Sequence, residues 1–70
     1  MARTAPNIDL QRERFRQQMS RTALAHRTHL SRKCLLDIEL GRTRPRMDTA
    51  ARIAQALNVD VSDLFREVIG

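Results

Sequence analysis

Two cations stand where a helix alone would not want them. Arg32 and Lys33 follow Ser31 in the run Leu30-Ser31-Arg32-Lys33-Cys34-Leu35-Leu36-Asp37-Ile38-Glu39-Leu40-Gly41. Serine is a good helix cap and glycine a good helix stop, so the run predicts a helix from Ser31 to Leu40. The amino end of a helix carries partial positive charge, and a cation there costs about 0.3–1 kcal/mol. A polyanion turns that penalty into an attraction. The matching chemistry is hydrogen-bond donation into a groove of nucleic acid. Asp37 can pair with Lys33 four residues earlier for about 0.2–0.5 kcal/mol, and Leu36 can be one more exposed leucine.

His26, His29 and Cys34 raise a second chemistry, zinc binding. Structural zinc sites want four converging ligands. Only three candidates exist and Cys34 belongs to a different helix, so no metal is expected. Cys34 reads instead as a small, partly buried residue. No nucleophile–base pair and no glycine-rich phosphate loop stand out, so neither enzymatic activity nor a cofactor is expected.

Composition narrows the partner. The 70 residues suit one small domain with a modest core. Thirteen Lys and Arg against eight Asp and Glu give a net charge of +5, and Lys33 is the only lysine. Arginine's planar fork suits phosphate and guanine, so an anionic partner is expected, nucleic acid before membrane. The cations are scattered and do not line one face of a long amphipathic helix, which weakens the membrane reading. Phe15 and Phe65 are the only aromatic residues, too few for single-strand binding by base stacking. One cysteine and no long apolar run fit a reducing compartment, without a signal peptide or membrane span.

The positioning elements follow from periodicity. Residues 1–7 read as a flexible basic arm with Arg3, and residues 8–70 as the folded domain. A first helix is expected from about Ile8 to Gln18, with Ile8, Phe15 and Met19 on its buried face and Leu10 to one side. Ser20 caps a second, Arg21 to Thr28, with Leu24 and Ala25 inward. After a break at Thr28-His29-Leu30 comes the helix already described, anchored by Leu35 and Ile38. Arg42-Thr43-Arg44-Pro45-Arg46 is a basic loop. Met47, Ala50, Ile53, Ala54 and Leu57 stripe a fourth helix, which Asn58 closes in a left-handed conformation. Asp60 and Asp63 open a fifth, whose apolar residues are Val61, Leu64, Phe65, Val68 and Ile69. The fold class is all-α, with five short helices.

Two helices across a three-residue break, the second basic at its start, make a helix-turn-helix pattern. The segment Ser20 to Phe65 resembles the Cro/repressor-type helix-turn-helix family of bacterial and phage regulators, also called the xenobiotic-response-element family. The resemblance rests on Ser20, Leu24-Ala25, Leu30-Ser31-Arg32, Leu35, Ile38-Glu39, Gly41, Pro45, Ile53-Ala54, Ala56-Leu57, Val59 and Asp63-Leu64-Phe65. It implies a compact lambda-repressor-like DNA-binding domain in the cytoplasm, on the nucleoid. Carried over, base contacts fall to Ser31, Arg32, Lys33, Leu36 and Asp37: the resemblance implies that Arg32 or Lys33 donates to guanine O6 and N7, for roughly 1–3 kcal/mol of discrimination, that Asp37 accepts from cytosine N4 and that Leu36 touches a thymine methyl. Phosphate contacts fall to Ser20 and Arg21 at the start of the second helix, and to Arg42, Thr43, Arg44 and Arg46. Arg21 stands where the family usually has glutamine, His29 where it has glycine, Thr28 where it has an apolar residue and Leu40 where it has a polar one.

The expected function is a sequence-specific double-stranded DNA-binding regulator of transcription, with repression the simplest mechanism. One recognition helix reads few base pairs, so a homodimer on a palindrome is expected, with Leu64, Val68 and Ile69 as candidate dimer residues. One alternative is an antitoxin-type interaction module that binds DNA and a protein partner. Another is RNA binding through charge alone.

Overall fold

One to three apolar side chains from each helix meet in a single core. Leu10, Leu24, Leu35, Ile53 and Leu57 are its fully buried large members, joined by Ile38, Leu64, Phe65 and small alanines. The computed structural model describes residues 6–65. Among them are five helices: α1 (Ile8–Arg16), α2 (Arg21–Thr28), α3 (Arg32–Glu39), α4 (Met47–Ala56) and α5 (Val61–Leu64). α2 packs on α3 and α4, α4 on α5, and α1 closes the assembly against α3 and α5. No helix among the described residues is long and apolar enough to cross a membrane.

Side-chain caps set the boundaries. The Ser20 hydroxyl accepts from Ala23 N–H and the Ser31 hydroxyl from Cys34 N–H, each at 3.0 Å. Ser31 is therefore the cap of α3, not its first turn. Asp60 and Asp63 form a reciprocal capping box on α5. His29 (φ 59°), Asn58 (φ 58°) and Gly41 (φ 77°) close α2, α4 and α3 in the left-handed region. Thr28, wholly buried, donates its hydroxyl to the carbonyl of Leu24 at 2.8 Å. That bond lets a polar residue replace an apolar one without an unpaired group.

α1 departs from the expected arrangement. Its buried residues are Leu10 and Arg14, while Ile8 is 53% and Phe15 68% exposed. Leu10 and Arg14 are four apart on one face, so the inward stripe is half charged and periodicity of apolar residues alone points to the wrong side. Arg14 instead lies 4.9 Å under the Phe15 ring, and Met19 packs beside the core. Met47 is also exposed, since it lies in the first turn of α4 beyond the packed stripe.

Asn7, at the end of the expected arm, is held in the fold. Its side chain caps α1 through Leu10 N–H and donates to the Leu64 carbonyl at 3.0 Å. Its own N–H donates to the Glu39 carbonyl at 2.9 Å. Arg3 and the rest of residues 1–5 lie outside the described residues. Leu64, offered above as a dimer residue, is 4% exposed and belongs to the core. Val68 and Ile69 lie outside the described residues.

Candidate nucleic-acid interface

α3 is anchored by Leu35, Ile38 and Glu39, which fall at i, i+3 and i+4 and share its buried face. The opposite face is thereby turned outward. It presents Arg32 and Lys33, both exposed, and Leu36 and Asp37, both half-buried. The first turns of α2 and α3 meet beside this face. Arg21 and Thr22 from α2, with Arg32, Lys33 and Leu36 from α3, line one hollow of about 340 Å³. First-turn residues of both helices thus line it, and a helix amino end favours an anion.

Each charge on the face has a different freedom. Lys33 Nζ donates to Asp37 Oδ2 at 3.1 Å, although Lys33 is 82% exposed. Arg42 Nη1 approaches the other oxygen of Asp37 at 3.6 Å, and the Arg42 N–H donates to the Asp37 carbonyl at 2.8 Å. Asp37 thus faces two cations of its own chain, the plainer of its two expected roles. Arg32 has only a contact at 3.5 Å to the Thr22 hydroxyl, the outer limit of a hydrogen bond. Among the described residues it is the cation of this hollow without a carboxylate partner. Thr43, Arg44 and Arg46 are exposed after Gly41, with Arg46 in the cap position of α4.

Arg21 holds an unexpected position. Its Nε donates to Glu39 Oε1 at 3.1 Å while its side chain stays 39% exposed. Glu39 is 1% exposed and is also gripped by Arg14, through Nε at 2.7 Å and Nη2 at 3.2 Å. Arg14 Nη1 reaches the Met19 carbonyl as well. One buried carboxylate therefore ties α1, α2 and α3 together. Two guanidinium groups surround it, so the cluster keeps an excess positive charge that Arg21 carries to the surface. Removal of one partner from such a buried pair costs about 3–5 kcal/mol. Sequence reasoning missed this cluster: Arg14 follows Leu10 and Glu39 follows Leu35 by four residues, but a charged residue on an inward stripe does not register as apolar spacing.

The other charged contacts are peripheral. The Arg16 guanidinium, then the Gln17 amide, hold the half-buried Glu13 carboxyl below its ordinary range. Gln17 also donates to the Leu57 carbonyl at 2.7 Å and pins α1 to the end of α4. Among the described residues no group of His, Cys, Asp and Glu is placed to hold a metal ion. Cys34 is half-buried beside the core.

A family model for the helix-turn-helix matches residues 10–64. The chain belongs to this family, the xenobiotic-response-element type of helix-turn-helix protein. Among solved structures it is similar to the apo form of the competence regulator ComR from Streptococcus vestibularis, at 32% identity and a TM-score of 0.77. That match covers 87% of this chain but 21% of ComR, so the chain spans about one fifth of that protein. No curated protein matches the chain.

Proposed function

We propose that the chain is a sequence-specific reader of double-stranded DNA that regulates transcription, with α3 in the major groove. The observation that carries this reading is the meeting of two helix amino ends at one cationic hollow, with Arg32 free of any carboxylate there. Ser31, Arg32, Lys33, Leu36 and Asp37 are the base-facing set. Within it Arg32 donates to guanine, and Lys33 does so when it leaves Asp37. Ser20, Arg21, Arg42, Thr43, Arg44 and Arg46 flank that set and take the phosphates. Glu39 keeps Arg21 extended beside the hollow, which lowers the entropy lost on phosphate contact.

One α3 reads only a few base pairs, so the account includes a homodimer on a palindrome with half-sites about 34–36 Å apart. Occlusion of a promoter, and hence repression, is the simplest consequence. Selection from random duplexes tests the reading. A recovered palindrome with guanine in each half-site is the expected result. Recovery of no common sequence contradicts it.

A further inference from the structure

Of the four large apolar side chains exposed among the described residues, three gather beside α1: Ile8, Phe15 and Leu40. Ile8 and Phe15 are seven residues apart, two turns of helix, so they share a face and stand about 10 Å apart along it. Leu40 joins them from the end of α3. The carbonyl of Glu39, the residue before it, accepts from the Asn7 N–H and from the Gln11 side chain, each at 2.9 Å. Single exposed apolar residues are ordinary on a small protein, whereas a cluster marks a contact surface. This face lies opposite the one that holds Leu10 and Arg14 in the fold, so neither the core nor the cationic hollow uses it. Phe15 is also steadied: the Arg14 guanidinium lies 4.9 Å from its ring centre. An aromatic ring already held in place loses little freedom when a partner covers it.

Charge selects the occupant. Arg12 and Arg16 are exposed on the same face, with Arg12 between Ile8 and Phe15. Arg16 pairs with Glu13, while Arg12 has no carboxylate partner among the described residues. A second copy is a poor fit. A symmetric pairing of two such faces sets Arg12 against Arg12, and each copy brings a net charge of +5. A partner with apolar side chains covers Ile8, Phe15 and Leu40, and carboxylates beside them satisfy Arg12. A helix of two or more turns with an apolar stripe supplies both at the right length.

We propose that the outer face of α1, with Leu40, is the docking surface for an acidic amphipathic helix of a partner protein. Phe15 is its apolar anchor and Arg12 its charge selector.

The test uses the full chain. A photo-reactive benzophenone side chain at position 15 is cross-linked in the cells that make the protein, and the captured segment is sequenced. The expected adduct is a segment with carboxylates flanking an apolar stripe, and Arg12→Glu abolishes it. In solution the probes are a synthetic helix with a leucine stripe flanked by glutamates, and its counterpart with lysines. The glutamate peptide alone is expected to shift the amide resonances of α1 and Leu40. Phe15→Ser weakens that binding roughly tenfold or more. Arg12→Glu moves the preference to the lysine peptide. Both variants change exposed side chains and stay folded, which thermal melting checks. Equal binding of the two peptides, or shifts confined to α2 and α3, overturns the proposal. So does an adduct with a second copy or with a basic segment, and so does the absence of any adduct.

Discussion

Arg14 and Glu39 meet as a two-point ion pair between α1 and α3, with Nε to Oε2 at 2.7 Å and Nη2 to Oε1 at 3.2 Å. Both side chains are almost wholly enclosed, at 8% and 1% exposure. Such a pair adds little net stability compared with apolar residues of the same volume, because each charge has given up its water. What it fixes is geometry. Glu39 ends the helix that carries Arg32, and Arg14 holds that end against α1.

A double-mutant cycle measures this. Arg14→Met leaves Glu39 buried with only the half-exposed Arg21, and is expected to lower unfolding stability by about 3 kcal/mol. Arg14→Met combined with Glu39→Leu is expected to recover most of that loss. Urea denaturation gives both values. Additive losses would mean that the two groups do not interact.

The reversed face of α1 makes a second expectation. Leu10→Ala opens a cavity at a fully buried site and should cost about 2–5 kcal/mol. Phe15→Ser changes an exposed side chain and should stay within about 0.5 kcal/mol of the parent, apart from its contact with Arg14. Thermal melting separates them. The opposite order would place Phe15, not Leu10, in the core.

His29 holds the left-handed turn between α2 and α3 at φ 59°. Left-handed geometry costs a side-chain-bearing residue about 1–2 kcal/mol, and glycine's extra chain entropy offsets about 0.5–1 of it. His29→Gly should therefore be stabilised by roughly 0.5 kcal/mol, read from the denaturation midpoint, with DNA binding unchanged. A large fall in stability would assign the imidazole a contact that this turn does not need.

Asp37 restrains two cations beside the outward face of α3, Lys33 and Arg42. Asp37→Ala frees both. Affinity for arbitrary duplex should rise, and its dependence on salt should steepen by up to about one unit per cation that gains a phosphate. Titration at several salt concentrations reads the slope. An unchanged slope would remove Arg42 from the phosphate-contacting set.

The order and type of the helices were legible from the chain because turn chemistry and apolar spacing agreed there. Ser20, Ser31 and Asp60 mark starts, and His29, Gly41 and Asn58 mark ends. Leu24, Leu35, Ile53 and Leu57 mark the inward faces. α1 was not legible in the same way. Its inward stripe is Leu10 and Arg14, and a buried arginine is invisible to a search for apolar periodicity until its partner Glu39 is known. Leu64 carried two readings, core ahead of contact surface, because an apolar residue near the end of a small domain can serve either. Arg21 looked like a simple phosphate ligand, since nothing local in the sequence shows Glu39 eighteen residues away beside it.

Whether the outward side of α3 reads bases, and does not merely carry charge, is measured directly by the affinity of Arg32→Ala and Arg44→Ala for the selected duplex and for a scrambled duplex of equal length. Arg32→Ala should lose roughly 1–3 kcal/mol more on the selected duplex than on the scrambled one, while Arg44→Ala loses equally on both. Equal losses for Arg32→Ala on the two duplexes would contradict the account.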